Sequence, residues 1–378
     1  MTSVKIYPSS FPNSEEELFL KLVLSHNDAF RALWEEWKSR VVFDNIDHAT
    51  MRLLPLLYLR LQSLKIEDSL VGRIKGVYRY AWYKNQRLLE STRQVVELLE
   101  KQNIPVLLMK GVPLLLTAYK NPGARFSGDI DLLVHPADAL RAMEVLHAYS
   151  CVPKGHLYPS TRNLSYESIL KHFHEVSFVN DHEIEIDLHW RIFENEHKMS
   201  SELIWKNAVP LEIQSTQCLM PCTEDLLIHV IVHGAEYNTH RTLRWVVDAI
   251  TLIKNQPIDW QKLLLHTIEH DCVIEMQTAC SYLVKTFNVN FPESFLKNLS
   301  NRSVSNEKQI AYVNSSNEQR FHPFGNLWFL MRLYRESTPT RSKPFLDFIC
   351  EQRGLKRRQD ILTHTWKTYQ KQFQKIFQ

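Results

Sequence analysis

Apolar residues recur at helical spacing from Ser14 to about Lys101. "SEEELFLKLVLS" sets Ser14 at an N-cap position with Glu17 three residues on, the arrangement in which each side chain satisfies the other's backbone donor. "ATMRLLPLLYLRLQSL" and "RIKGVYRYAWYKNQRLLESTRQVVELLEKQ" continue the period, and no glycine follows Gly76 until Gly111. Residues 1–100 therefore predict a helical region. At Ile104 the texture changes. "IPVLLM" is an apolar run of strand length, "KGVPLLLTAY" returns to helical spacing, and "DIDLLVH" is a second strand leading into "HPADALRAMEVLHAY", whose Pro136 suits a first helical turn.

Alternation along a strand sends successive side chains to opposite faces, so Asp129 and Asp131 share one face while Ile130 and Leu132 share the other. Farther on, "HEVSFVN" and "HEIEIDLHW" flank a polar turn at Asn180 and Asp181 and read as a hairpin. In its second strand Glu183, Glu185, Asp187 and His189 face one way, and Ile184, Ile186, Leu188 and Trp190 the other. Residues 101–200 thus predict a compact mixed unit of strands and helices.

Residues 201–300 return to helical patterning in "TEDLLIHVIVHGAEY", "RTLRWVVDAITLIK" and "IEMQTACSYLVKTF". The final part, 301–378, opens on the polar stretch "LSNRSVSNEKQIAYVNSSNEQ" and becomes basic with interleaved aromatics from Arg341 onward. There is no internal repeat. The fold class expected is α+β, a small mixed-sheet core flanked by helical regions on both sides.

Composition narrows the class without deciding the function. The 378 residues are 44% hydrophobic and 23% charged with a formal net charge of +3, ordinary for a globular chain and too balanced for bulk electrostatics to point to nucleic acid or membrane. Six cysteines form no disulfide-framework spacing, which suggests a reducing compartment. Cys218 and Cys222 lack a second matching pair, so a zinc reading of them is set aside. No apolar run approaches bilayer-spanning length and the first residues carry no uninterrupted apolar segment of a signal peptide, so a cytoplasmic protein without a membrane partner is expected.

Three features of the mixed unit fit together chemically. In "MKG", a strand meets a helix; Gly111 lets the backbone approach a ligand, and the free amides with Lys110 favour an anion. Asp129 and Asp131 suit a hard divalent cation, which takes carboxylate oxygens together with substrate phosphates. A third acidic group on a neighbouring strand completes a site for in-line displacement at phosphorus.

"MKG", "ARFSGDIDLLV" and "IDLHWRIF" together resemble the polymerase-β-type nucleotidyltransferase superfamily, most closely its group of uncharacterised bacterial nucleotidyltransferases, with Lys-Gly in place of the usual Gly-Ser. The helices around "HATMRLLPLLYLRLQ" and "LLIHVIVHGAEYNTHRTLRWVVDAITLI" resemble that group's flanks, so the likeness runs from about Asn45 to Lys254. It implies that Asp129, Asp131 and Asp187 are catalytic metal ligands and that Lys110 with Gly111 cradles a triphosphate. Glu185, on the face of Asp187, competes for the third place. Gly128, Arg125, His189 and Arg244 join the expected nucleotide-contacting set, with Arg241, Lys171 and His174 as further cleft residues.

The implied reaction transfers an NMP group from an NTP to an acceptor hydroxyl with two Mg²⁺, or Mn²⁺ in their place, and releases pyrophosphate. RNA or tRNA, a protein, or a small molecule are equally open as acceptors at this point; the basic tail would fit the first through phosphate contacts and stacking, although a charge run is ordinarily a solvated helix face. The alternatives are a catalytically silent nucleotide-binding protein on the same fold and a toxin or effector that modifies RNA or protein. His229 and His233, at i and i+4, are expected in structural roles, paired to a carboxylate such as Asp248. Trp190 and Trp245 are expected in the core.

Overall fold

The computed structural model describes residues 10–25, 27–149, 151–153, 170, 173–193, 199–236, 243–306, 308–309, 312, 334, 344–352 and 357–359. Its centre is one seven-stranded mixed sheet. The strands are β1 (Leu107–Leu108), β2 (Asp129–Leu133), β3 (Val152–Pro153), β4 (Glu175–Val179), β5 (Glu185–His189), β6 (Val209–Ile213) and β7 (Thr216–Met220). They lie in the order β3-β4-β5-β2-β1-β7-β6. β2 runs parallel to β5 and β1 parallel to β7, and every other neighbouring pair is antiparallel. A mixed sheet with flanking helices is the α+β class the alternation predicts.

The β4–β5 hairpin forms where the polar turn places it. Asn180 Oδ1 accepts from the amides of His182 and Ile184, and Glu183 takes a left-handed φ of 59° to close the turn. Past Ser200, however, the sequence reading carries helix straight through, whereas the structure inserts the β6–β7 hairpin before the next long helix. Its two-residue turn uses Gln214 and Ser215 at φ 47° and 72°. A turn of that kind is ordinarily announced by Asn or Gly, and without them the hairpin leaves little trace in the sequence. The first helix, Ser14–Leu24, is capped one residue earlier than expected: Asn13 is the N-cap and Glu16 completes the capping box.

Helix Val71–Glu100 joins two hydrophobic cores. Ile74, near its start, packs into a large helical core, whereas Leu88, Leu89, Val95, Val96 and Leu99 pack into the core beneath the sheet. The helical core contains Phe19, Trp34 and Leu57 from the N-terminal helices together with Trp245, Met276 and Phe295 from beyond the sheet. Helices from the two sides of the sheet region therefore share one interior. Tyr282 donates its hydroxyl to Glu17 Oε1 at 3.1 Å, and the Phe11 ring meets those of Trp245 and Tyr282 edge-on.

The same long helix holds the loop that leads into β2. Asn85 is fully buried, donates to the carbonyls of Pro122 (2.6 Å) and Arg125 (2.5 Å), and accepts from the amide of Ser127 (3.2 Å). A buried amide that makes all three bonds fixes the loop, since leaving any of them unmade exposes a desolvated polar group. Gly123 sits under the Tyr78 ring, where a Cβ would come within 2.4 Å of it. No helix among the described residues is long and apolar enough to cross a membrane. All six cysteines are free and buried.

Candidate active site

β2 and β5 pair in a register that sets Asp131 beside Asp187 and Asp129 beside Glu185. Parallel neighbours at matched positions project to the same face, so the alternation within each strand becomes a cluster across two. Asp129, Asp131 and Asp187 each offer a carboxylate oxygen, and these oxygens lie within 4.8 Å of one another. Glu185 shares the face but stands beside Asp129, at the other end of the pairing.

Three carboxylates so close repel one another. The Asp187 carboxyl is pushed up to about 7 by burial first and by the charge of Asp131 second, although the Ser177 hydroxyl, donated to its Oδ1 at 2.5 Å, favours the ionised form. Asp129 is raised for the same two reasons. Asp131 behaves oppositely. Burial disfavours its charge, but Lys110 and His189 outweigh burial and hold it well below the carboxylate range. Lys110 Nζ lies 2.6 Å from Asp131 Oδ1, and His189 Nε2 lies 3.4 Å from the same oxygen.

The backbone at Lys110 is unusual, with φ 51° and ψ −110° where β1 passes into the short helix Gly111–Pro113. A side chain with a Cβ seldom adopts such a conformation, and here it turns the ammonium into the carboxylate cluster. Burial works to lower the pKa of Lys110; the charges of Asp131, Glu175 and Asp129 prevail and raise it. Gly111 is needed for space: a Cβ would stand 3.1 Å from Ser127 Oγ and 3.2 Å from an Arg125 guanidinium nitrogen. Gly128 is under no such demand, because an added Cβ would meet only Arg52 Nη2, at 3.8 Å.

Arg125 is engaged in a buried ion pair and not in an open phosphate site. Its Nε and Nη2 each donate to Asp248 at 2.9 Å, Nη1 donates to Ser127 Oγ, and Tyr119 adds its hydroxyl to Asp248 Oδ1. Asp248 is thereby occupied, which corrects the expected pairing of His229 or His233 with it. The two histidines pack against each other edge-on at 5.8 Å, and the Phe193 ring covers both. Burial drives both pKa values down, so both imidazoles are neutral. His229 Nε2 is buried without a hydrogen-bond partner among the described residues.

Two groups at the site, Glu175 and Arg52, escape the sequence reading. Glu175 on β4 reaches His189 Nδ1 at 3.1 Å, so that Glu175, His189 and Asp131 form a chain. His174 extends it, 3.6 Å from Glu175 and neutral, its pKa lowered to about 4 by burial. Arg52, from the turn after the four-residue helix His48–Met51, makes no ion pair among the described residues, and its nearest charges include Asp129 and Arg125. Arg244 donates to the carbonyl of Phe126 at 2.9 Å. Burial, then Arg125 and Arg52, lowers its pKa, yet a guanidinium stays charged. Only the hairpin alternation carried a signal for Glu175; nothing local marks Arg52.

Beside the carboxylates a cavity of about 640 Å³ opens between helix Val71–Glu100 and the Phe126–Gly128 segment. Arg52, Arg73, Tyr80, Lys84 and Gly128 are among the residues that line it. Away from it, Cys222, Asp225 and His266 converge in the helical core, where Asp225 accepts from His266 at 2.6 Å and from His270 at 3.0 Å. Trp190 and Trp245 are core residues as expected. Lys171, Arg241 and most of the basic stretch from Arg341 onward lie outside the described residues.

The chain matches the family model described as an uncharacterised nucleotidyltransferase over residues 48–288. No curated protein matches. Among solved structures, an antigenic nucleotidyltransferase-like protein from Paracoccidioides brasiliensis is similar at 13% identity, over 58% of this chain and 94% of that one; its TM-score of 0.36 is too low to support any argument.

Proposed function

The chain belongs to the uncharacterised nucleotidyltransferase family, and we propose that it transfers an NMP group from a nucleoside triphosphate to an acceptor hydroxyl, with Mg²⁺ held by Asp129, Asp131 and Asp187. The convergence of these three carboxylates carries the reading. Their charge is only partly offset by Lys110: burial first, and the neighbouring charge of Asp131 second, raises the pKa values of Asp187 and Asp129. A hard divalent cation with oxygen ligands fits that deficit. When bound, it supplies charge neutralisation at the phosphates and lowers the cost of displacement at phosphorus.

The protein groups then divide the remaining work. Arg244 and Arg52 bring positive charge to the Gly128 side of the carboxylates, where a polyphosphate needs it. Lys110 holds Asp131 ionised. Asp187 keeps Oδ1 on the Ser177 hydroxyl, which leaves Oδ2 to take the proton of the attacking hydroxyl. Glu175 fixes the His189 ring against Asp131. Positioning and electrostatics of this kind account for most of the rate in phosphoryl-group chemistry.

The test is incubation of purified protein with each labelled NTP, Mg²⁺ and a cell lysate depleted of nucleotides. Label is expected in an acceptor fraction with release of pyrophosphate, and the Asp129→Ala, Asp131→Ala double variant is expected to lose at least about 10²-fold of it. Equal incorporation by the double variant would refute the assignment.

A further inference from the structure

Between Val71 and Leu89 the long helix carries five cations, Arg73, Lys75, Arg79, Lys84 and Arg87, and no carboxylate. Three of its aromatic rings are turned to solvent: Tyr80 is 55% exposed, Trp82 46% and Tyr83 54%. Large aromatic side chains are ordinarily among the more buried on a helix, so three within four positions form a surface with a purpose beyond packing. Lys75, Arg79 and Lys84 are exposed and make no ion pair among the described residues. Arg73 is held by Asp44 and lies over the Phe43 ring.

One stripe of this helix faces the cavity. Arg73, Gly76, Val77, Tyr80 and Lys84 recur at three- and four-residue intervals and line it, and across from them stand Phe126 and Gly128, the latter adjoining Asp129. Tyr80 and Phe126 have ring centroids 6.0 Å apart, and none of the residues lining the cavity is a carboxylate. Gly76 is the informative position. A Cβ there would meet nothing within 4 Å, so packing does not require a glycine, while a mid-helix glycine is destabilising against alanine. What its absent side chain provides is room in the cavity.

We infer that this helix face and the cavity it borders are the acceptor site, and that the acceptor is the end of a single-stranded nucleic acid. The inference rests on the transfer reading for what happens at the carboxylates, but the surface itself is argued independently. Exposed rings interleaved with unpaired cations are what a single strand recognises, because bases stack on the rings while phosphates meet the cations. The strand's last nucleotide enters beside Tyr80 and Phe126. Its terminal ribose hydroxyl attacks the α-phosphorus, a phosphodiester forms as the α–β bond breaks, pyrophosphate leaves, and the hydroxyl proton passes to Asp187. The basic C-terminal stretch named in the sequence is not needed for this.

The experiment measures anisotropy of a labelled, mixed-sequence single-stranded RNA oligonucleotide with the full chain, and label transfer to the same oligonucleotide from each NTP. Binding is expected to favour single strand over duplex and to weaken at least about tenfold between ~50 and ~200 mM salt. Arg79→Glu with Lys84→Glu is expected to weaken it at least tenfold, and Tyr80→Ala about tenfold. Gly76→Leu, which fills the cavity and improves helix propensity, is expected to keep the fold by thermal melt and surface binding within a few-fold while transfer is lost. Absence of binding at low salt, or equal binding by the charge-reversed variant, would overturn the inference. Label entering a protein or a small molecule while RNA goes unbound overturns it too and leaves the transfer reading intact. RNA binding that responds to the variants with no transfer from any NTP supports the surface and removes the transfer reading instead.

Discussion

Asp131 and Asp187 stand side by side on parallel strands 56 positions apart in the chain, one held ionised by Lys110 and the other pushed up to about 7. One carboxyl group of the cluster is thus held ionised while its neighbour takes up a proton far more readily. The asymmetry comes from Lys110 and His189, which both lie against Asp131 Oδ1.

A pH dependence follows with a definite sign. An unfolded aspartate titrates near about 3.9, so between there and about 7 the native Asp187 carboxyl holds a proton more often than the unfolded one. Without divalent cation, Asp187, with Asp129 in the same direction, lowers stability as pH rises from about 4 to about 7, while the buried neutral imidazoles of His174, His229 and His233 act the other way, so the carboxyl contribution is read as the difference in Tm between the chain and its Asp187→Asn variant across that window. Mg²⁺ binds the deprotonated carboxylates, so the increment it adds to Tm should grow over the same window. A Mg²⁺ increment equal at both ends would contradict this arrangement.

The third carboxylate can be assigned by substitution. Asp187→Asn is expected to reduce transfer by about 10²-fold or more with a KM for NTP changed little, while Glu185→Gln stays within a few-fold. Steady-state kinetics at neutral pH separate the two, and the reverse order would transfer the role to Glu185.

Arg125 and Asp248 join the loop before β2 to the helix Arg244–Asn255 by two hydrogen bonds of 2.9 Å in a site closed to solvent. Asp248→Ala leaves a buried guanidinium without its counter-charge and is expected to cost about 3–5 kcal/mol in urea unfolding. A loss under about 1 kcal/mol would show that the loop relaxes to hydrate Arg125.

Glycine to alanine inside a helix ordinarily stabilises by about 1 kcal/mol. At Gly234 the sign reverses, since the added Cβ would fall 2.1 Å from Trp245 Cβ and the two helices would have to part. A loss of about 1–3 kcal/mol is expected in the urea midpoint of Gly234→Ala.

The parts of this molecule readable from sequence are those in which a local period equals a spatial relation. Asp129 and Asp131 share a face because they are two apart on a strand, and the β4–β5 hairpin is announced by its polar turn. The pairing of β2 with β5, which brings Asp187 to Asp131, is a relation between distant segments and came only with the resemblance. Arg125 shows the limit most clearly. Its position before the acidic strand suits a phosphate contact, and only the arrival of Asp248 from 123 residues away determines that it does something else. Arg52, Asn85 and Glu175 likewise acquire their roles from partners that no local pattern names.

The shared helical core has a consequence for the order in which the protein is made. Phe11, Phe19 and Trp34 leave the ribosome more than two hundred residues ahead of Trp245, Met276 and Tyr282, with which they share one core. At a synthesis rate of roughly 5–20 residues per second, that is some tens of seconds during which the early helices have no complete interior to enter. The nascent chain is therefore a natural client for a chaperone that shields apolar helices, and the helices that carry Phe19 and Trp34 complete their native packing late.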